Sequence, residues 1–156
     1  MTIISALTRK GVIGKENAMP WHISEEARHF KRLTVGGTLI MGRKTFESLG
    51  ARPLPKRHHI IVSRSMPETE GIDVCRTLEE ALERADTYEG EIFCAGGAEI
   101  YRQCRPNPSR LYLSYIKQDF PGDTYFPEFD LTDWRVVKEE DHEAYVFTEY
   151  ERKDHN

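Results

Sequence analysis

The sequence predicts a single-domain α/β protein: a mixed, mostly parallel sheet with helices on both faces and a C-terminal antiparallel hairpin. Two observations support this prediction. Strand-like and helix-like segments alternate over the first two thirds of the 156 residues, and two long segments of alternating polarity then flank residues 141–143. No linker, repeat or low-complexity segment interrupts the chain, so we expect residues 1–156 to form one domain.

Short apolar and β-branched runs predict the strands, and glycines and capping residues predict the helices. The predicted strands are residues 2–7, Thr38–Gly42, His59–Ser63, 72–76, Glu91–Ala95, Arg110–Ile116, 134–141 and 144–152. The predicted helices lie within Pro20–Thr34 with Ser24 as N-cap, from Arg43 onward, from the capping box Thr77–Glu80 to about Ala85, and over Ala98–Cys104.

Composition excludes several classes of protein. Apolar residues make up 38% and charged residues 31%, which is typical of a soluble globular protein. A net charge of -4 argues against non-specific nucleic-acid binding, and no apolar run is long enough for a membrane span or a signal peptide. The three cysteines and six histidines show no ligand spacing. We therefore expect no metal, free thiols and a reducing cytoplasm.

The segment Pro20–Thr34 carries an unusual carboxylate. At about 100° per residue it separates into two sides. The apolar side contains Ala27, Phe30, Leu33 and Thr34, and the charged side contains Glu25, Arg28, His29, Lys31 and Arg32. Glu26 falls on the apolar side. Two interpretations stay open at this point: an acidic residue placed in a first helical turn by the helix dipole, or a functional carboxylate facing the core.

Three strand ends are suited to phosphate groups. Gly42 leads directly into Arg43-Lys44-Thr45, the third predicted strand ends at Ser63-Arg64, and Gly96-Gly97 precedes the last predicted helix. Each signal is weak alone, because a tight turn or a solvated helix end gives the same pattern, and the spacing G-x-G-x-x-G is absent. Together they favour a phosphorylated dinucleotide, with an arginine suited to an NADP 2′-phosphate.

The chain resembles dihydrofolate reductase nearly from end to end, and five motifs in order carry the resemblance: "VIGKENAMPW", "IMGRKTFESL", "RPLPKR", "AGGAEIY" and "GDTYFPEF". The resemblance implies an eight-stranded mixed sheet with about four flanking helices. It also implies NADPH-dependent reduction of 7,8-dihydrofolate to 5,6,7,8-tetrahydrofolate by a cytoplasmic monomer that binds dihydrofolate and antifolate inhibitors.

For Glu26 the resemblance favours function: it would hold the 2-amino group and N3 of the pterin, supported by Trp21 through a water and by the Ser114 hydroxyl. Tyr101 would face the nicotinamide ring. Arg57 would bind the α-carboxylate of the substrate. The remaining substrate-binding residues implied by the resemblance are Ile4, Ser5, Ala27, Phe30, Leu49 and Leu54.

The resemblance also implies a cofactor site. Residues at the nicotinamide end and in the mobile lid over it are Ala6, Ile13, Gly14, Asn17, Met19, Ala95 and Thr124. Residues for the adenine-side phosphates and the pyrophosphate are Arg43, Lys44, Thr45, Ser63, Arg64, Gly96, Gly97, Ala98, Glu99 and Ile100, next to Tyr101.

The chain departs from the family pattern at Ala27, Ala95, Ala98 and Ser114, and its final hairpin turn is short; none of these changes removes a group that the chemistry requires. Two alternatives stay open. One is a reductase of the same fold that acts on a ribosylated aminopyrimidine, and the other is a folate- or nucleotide-binding module without turnover. Arg57 and Glu26 argue against the first, and Trp21 with the lid argues against the second.

Overall fold

The computed structural model describes residues 1–16 and 18–153. In this part of the chain the helices are α1 (Ser24–Thr34), α2 (Arg43–Ser48), α3 (Leu78–Ala85) and α4 (Ala98–Cys104). The strands are β1 (Thr2–Thr8), β2 (Val12–Gly14), β3 (Thr38–Gly42), β4 (His58–Val62), β5 (Asp73–Cys75), β6 (Ile92–Cys94), β7 (Arg110–Ile116), β8 (Thr124–Tyr125), β9 (Trp134–Asp141) and β10 (Tyr145–Arg152).

Eight strands form one sheet in the order β5-β4-β3-β6-β1-β7-β10-β9. The pairs from β5 to β7 are parallel, whereas β10 is antiparallel to both β7 and β9. The predicted mixed, mostly parallel sheet and C-terminal hairpin are therefore confirmed. The bounds of α4, β3, β7 and β9 match the sequence prediction to the residue, and β4, β5 and β6 each differ from it by one residue at both ends.

Parallel pairing brings the carboxyl ends of β3, β4 and β6 to one edge of the sheet. Gly42 lies opposite Val62, and Cys94 lies opposite Ile40. The turn after β6 continues this pairing, because the Gly42 amide donates to the Gly96 carbonyl at 2.8 Å. The three polar segments predicted as phosphate sites consequently begin side by side.

Two apolar clusters cover the two faces of the sheet. The α4-side cluster contains Ile3, Leu7 and Leu111 with residues of α3 and α4, and the α1-side cluster contains Ile4 and Met41 with residues of α1 and α2. Each fully buried aliphatic side chain contributes about 1.5–3 kcal/mol, so these clusters supply most of the driving force for folding. Helices on both faces confirm the predicted layer arrangement.

The helix caps agree only partly with the sequence. Thr77 caps α3 as predicted, because its hydroxyl accepts from the Glu80 amide at 3.1 Å. Ser24 as N-cap of α1 is wrong: the N-cap is Ile23, with extended backbone and no side-chain cap, and Ser24 is the first helical residue. Inside the helix the Ser24 hydroxyl no longer has the extended geometry from which a cap reaches the following amides.

A small two-stranded sheet of β2 and β8 was not predicted from the sequence. Gly122 lies tightly against it, because a Cβ there would approach Val12 Cγ1 to 2.2 Å and the Gly14 carbonyl oxygen to 2.6 Å. Strands of three and two residues are too short to show an alternating pattern. Among the described residues no helix combines the length and apolar character needed to cross a bilayer.

Candidate active site

Helix α1 places the Glu26 side chain on the sheet side, where it is only 9% exposed. Burial raises the pKa of its carboxyl group from 4.5 to about 7, because the charged form loses solvation. Among residues 1–16 and 18–153, Glu26 has no hydrogen-bond or ion-pair partner, and the buried indole N–H of Trp21 has no hydrogen-bond partner. Buried polar groups are normally satisfied, so both groups are suited to a ligand or an ordered water.

Most of the predicted substrate-binding residues lie together. Ile4 is a buried member of the α1-side cluster, and the side chains that pack against this cluster include Phe30, Leu49 and Leu54. Ala27 is exposed on α1, although the sequence placed it on the apolar side. The same turn of α1 thus carries the buried Glu26 and the solvent-exposed Ala27.

Strand alternation separates Ser5 from Ile4 and places Ser114 on the Glu26 side of the sheet. Ser5 lies on the other face, beside Tyr101 of the α4-side cluster, and its hydroxyl donates to the Ala6 carbonyl at 3.3 Å. Ser114 is buried in β7, is paired with Ala6 of β1, and shares its face of the sheet with Tyr112 and Ile116 of the α1-side cluster.

Arg57 is held in place by its surroundings. Its Nε donates to the Thr34 hydroxyl at 2.9 Å and one Nη donates to the Pro55 carbonyl at 2.7 Å, while the other Nη donates to the Lys31 carbonyl. A guanidinium has five N–H donors, so two remain free for a carboxylate. Partial burial lowers the pKa of Arg57 without removing its charge.

The position of His29 differs from the two-sided pattern predicted for α1. The sequence placed it on the charged side, but it is 7% exposed and meets the Phe147 ring edge-on at 4.5 Å between centroids. Burial lowers its pKa, and Glu25 bonds the His142 ring at 2.8 Å. The C-terminal hairpin therefore covers a flank of α1 that the sequence pattern leaves to solvent.

The turns after β3 and β6 touch each other. A Cβ on Gly97 would lie 3.4 Å from the Thr45 hydroxyl, and neither Gly42 nor Gly97 caps its helix with a side chain. The first amides of α2 and α4 are thereby left for an acceptor. Arg43 and Lys44 are exposed at the start of α2, and Arg43 also pairs with Glu47 at 2.7 Å.

Tyr101 links the two halves of the site. Its hydroxyl donates to the Ile4 carbonyl at 2.7 Å, and a Cβ on Gly96 would lie 3.0 Å from its ring. Burial, reinforced by nearby groups that include Glu26, raises the pKa of Tyr101 well above its usual range. The carboxyl group of α1 and the glycine turn of β6 are thus neighbours of one tyrosine.

The other residues of the predicted cofactor site are spread over β2, β8, α4 and the two apolar clusters. Gly14 of β2 lies opposite Thr124 of β8, and Met19 is 51% exposed. Asn17 lies outside the described residues. The members on α4 or packed against an apolar cluster are Ala98, Glu99, Ile100, Ile13, Ala6 and Ala95.

Arg76 lies at the edge formed by the carboxyl ends of the parallel strands, and the sequence analysis did not predict it as a site residue. One Nη donates to the carbonyls of Ser63 at 2.9 Å and Met66 at 2.6 Å. The signal in the sequence is a basic residue close to the end of a strand. Arg76 directly follows β5, and Arg64 lies two residues after the end of β4.

Hydroxyls, cations and free amides at one edge fit a phosphorylated dinucleotide, and the buried carboxyl group near them fits an amino-substituted ring. The fold and the site together define an α/β enzyme that uses a dinucleotide.

Comparisons with known proteins narrow this class. Residues 1–152 match the family described as dihydrofolate reductase. The dihydrofolate reductase of Bacillus subtilis (strain 168) is 40% identical over 162 residues, covering 98% of this chain and 95% of the relative. Dihydrofolate reductase type 3 of Salmonella typhimurium is 40% identical over 145 residues, covering 92% and 88%. A solved dihydrofolate reductase from Enterococcus faecalis, complexed with NADP(H) and RAB-propyl, has a TM-score of 0.89 at 37% identity, covering 98% and 96%.

This chain belongs to the dihydrofolate reductase family.

Proposed function

We propose that the protein reduces 7,8-dihydrofolate to 5,6,7,8-tetrahydrofolate with NADPH, and that Glu26 is the residue around which the substrate is oriented. The observation that carries this proposal is a buried carboxyl group without a partner among the described residues. A pterin supplies what this group lacks, because its 2-amino group and N3 form a matched pair of donors for a carboxylate.

Residues of the α1-side cluster hold the rest of the substrate. The side chains of Ile4, Phe30 and Leu49 form an apolar wall for the ring and the aminobenzoyl group. Arg57, with two free N–H donors, binds the α-carboxylate of the glutamyl tail. The substrate is thereby held at its two ends by groups of opposite charge.

The edge of the sheet holds the cofactor. NADPH, when bound, supplies the hydride that reduces C6 of the pterin. Arg43, Lys44 and Thr45 bind phosphate, Ser63 and Arg64 bind the 2′-phosphate, and the amides of Gly97 and Ala98 approach the pyrophosphate. These hydroxyls, cations and amides are the donor set that anionic oxygens require.

Reduction also requires a proton at N5 of the pterin, an atom that the Glu26 carboxyl group does not contact directly. We propose that Glu26 anchors the ring and that water at the Trp21 indole supplies the proton, with Ser114 supporting the carboxylate. A carboxyl group with a pKa of about 7 can hold or release a proton at neutral pH. We expect residues 14–16 and 18–21 to close as a lid and to exclude water from the nicotinamide.

We further propose that residues 1–156 act as one domain and as a monomer in the cytoplasm. One sheet carries both apolar clusters, and the three cysteines are buried and free, as in a reducing compartment. Small-molecule antifolates are expected to occupy the substrate site, whereas nucleic acids and membranes are not expected partners.

The test is loss of the reduced-nicotinamide absorbance on mixing the protein with NADPH and dihydrofolate. We expect turnover with NADPH and at least ~10²-fold lower efficiency with NADH, because charge-assisted contacts contribute roughly 1.5–3 kcal/mol each. Binding without turnover indicates a binding module, and turnover only with a ribosylated aminopyrimidine indicates the other reductase. Either result refutes the proposal.

A further inference from the structure

We propose that Arg76 is a positioning residue for NADPH selectivity: it shapes the turn 63–66 so that Ser63 and Arg64 face the 2′-phosphate. This inference rests on the proposed function. Arg76 acts through two backbone carbonyls and need not touch the cofactor itself.

The turn is closed from inside by one hydroxyl. Ser63 Oγ accepts from the amides of Met66 at 3.0 Å and Ser65 at 3.4 Å. A hydroxyl has two acceptor lone pairs and one donor, so both lone pairs are used and only the O–H remains. The Ser63 side chain is therefore committed to donating, which suits an anionic oxygen.

Arg76 closes the same turn from outside. The carbonyls of Ser63 and Met66, three residues apart, both accept from one Nη of its guanidinium, at 2.9 and 2.6 Å. Two carbonyl dipoles converging on one cation fix the relative orientation of the two ends of the turn. Without that cation the converging oxygens repel each other and the turn opens.

Arg76 is itself tied to regular structure. Its amide donates to the Glu80 carboxylate of α3 at 3.1 Å, and the Ser63 amide donates to the Cys75 carbonyl at 2.9 Å. These two hydrogen bonds hold the turn 63–66 in a fixed position relative to β5 and α3. This is the rigidity that a selectivity site needs.

The neighbouring cations differ in availability. Arg43 is already paired with Glu47, whereas Arg64 has no ion pair within residues 1–16 and 18–153. Arg64, like Lys44, thus keeps its charge available, and the turn held by Arg76 decides where the charge of Arg64 points. Selectivity for the 2′-phosphate should consequently depend on Arg76.

The experiment measures dissociation constants of NADPH and NADH by quenching of protein fluorescence, for wild type, Arg76→Met and Arg76→Lys. Arg135→Met, an exposed arginine on β9, is the control for loss of one positive charge. We expect Arg76→Met to weaken NADPH binding about tenfold while NADH binding stays unchanged. Lysine keeps the charge but not the planar fork, so Arg76→Lys should lose most of this selectivity as well.

Amide hydrogen exchange of the ligand-free protein gives a second readout. Exchange at Ser65 and Met66 should accelerate in both Arg76 variants and not in the control. Arg76→Lys with wild-type selectivity would overturn the proposal, because charge alone would then suffice; unchanged exchange at Met66 would overturn it as well. A wild-type protein that binds NADPH and NADH equally would instead refute the proposed function, and this inference with it.

Discussion

Replacing Glu26 by glutamine is expected to stabilise the ligand-free protein at alkaline pH while lowering its turnover. Glutamine keeps the size and shape of the side chain but removes the charge. The stability gain arises because the ionised carboxylate of Glu26 has no partner among the described residues and has lost most of its solvation.

The magnitude follows from the pKa of Glu26, raised from 4.5 to about 7 by burial. Below pH 4.5 the carboxyl group is neutral in both the folded and the unfolded chain, so its contribution to stability is fully present. Between the two pKa values the folded protein keeps a proton that the unfolded chain has released. That contribution is lost as the pH rises through about 7, and at about 1.4 kcal/mol per pH unit the loss is about 3 kcal/mol.

The assay is urea denaturation of the wild type and Glu26→Gln from pH 4.5 to 8.5 without ligands. The free energy of unfolding of the variant minus that of the wild type should grow by about 3 kcal/mol across this range. Glu83→Gln, an exposed glutamate of α3, is the matched control and should show no such trend. A difference that stays constant with pH would refute the reasoning, because Glu26 would then titrate alike in both states.

The same variant tests the catalytic role. Turnover at pH 7 should fall by roughly 10²–10⁴, the scale for loss of a positioned acid–base group. Acid should narrow this deficit, because solvent then supplies substrate already protonated at N5. Normal turnover of Glu26→Gln at pH 7 would return Glu26 to the role of an ordinary acidic residue in a first helical turn.

Three further outcomes are expected. Arg57→Leu should raise the KM for dihydrofolate far more than it lowers kcat, whereas steady-state kinetics with an analogue lacking the glutamyl tail should show no change. Gly122→Ala should cost about 1–3 kcal/mol in urea denaturation, because its Cβ meets Val12 Cγ1 at 2.2 Å; an unchanged midpoint would mean that β2 and β8 move apart freely. His29 has a pKa lowered from 6.5, so the wild type should lose stability as the pH falls below that value, and His29→Phe should not show this loss.

Regular elements with strong local signals could be predicted from the sequence. Gly96-Gly97 marks the start of α4, and the apolar run of β7 is bounded by polar residues, so both elements were placed correctly. The position of Glu26 was also predictable, because helical periodicity alone puts it on the apolar side of α1. The identity of its ligand was not, since periodicity reports burial rather than chemistry.

Features created by distant parts of the chain could not be predicted. His29 is buried by a hairpin more than a hundred residues away, and a helical projection contains no information about that cover. The position of Arg76 directly after β5 is visible in the sequence, but the two backbone carbonyls that accept from its guanidinium are not. Strands β2 and β8 are defined by their mutual pairing around Gly122 and not by their own composition.

The three hydrogen bonds that the Arg57 guanidinium donates within the protein reduce the entropy lost when the substrate binds. An immobilised, rotamer-rich side chain ordinarily subtracts about 0.5–1.5 kcal/mol from affinity when a ligand orders it. Here Thr34, Pro55 and Lys31 order the guanidinium during folding, before any carboxylate arrives. Under the role proposed for Arg57, affinity for the substrate tail is coupled to the last turn of α1, and loosening that turn should weaken tail binding even when Arg57 itself is intact.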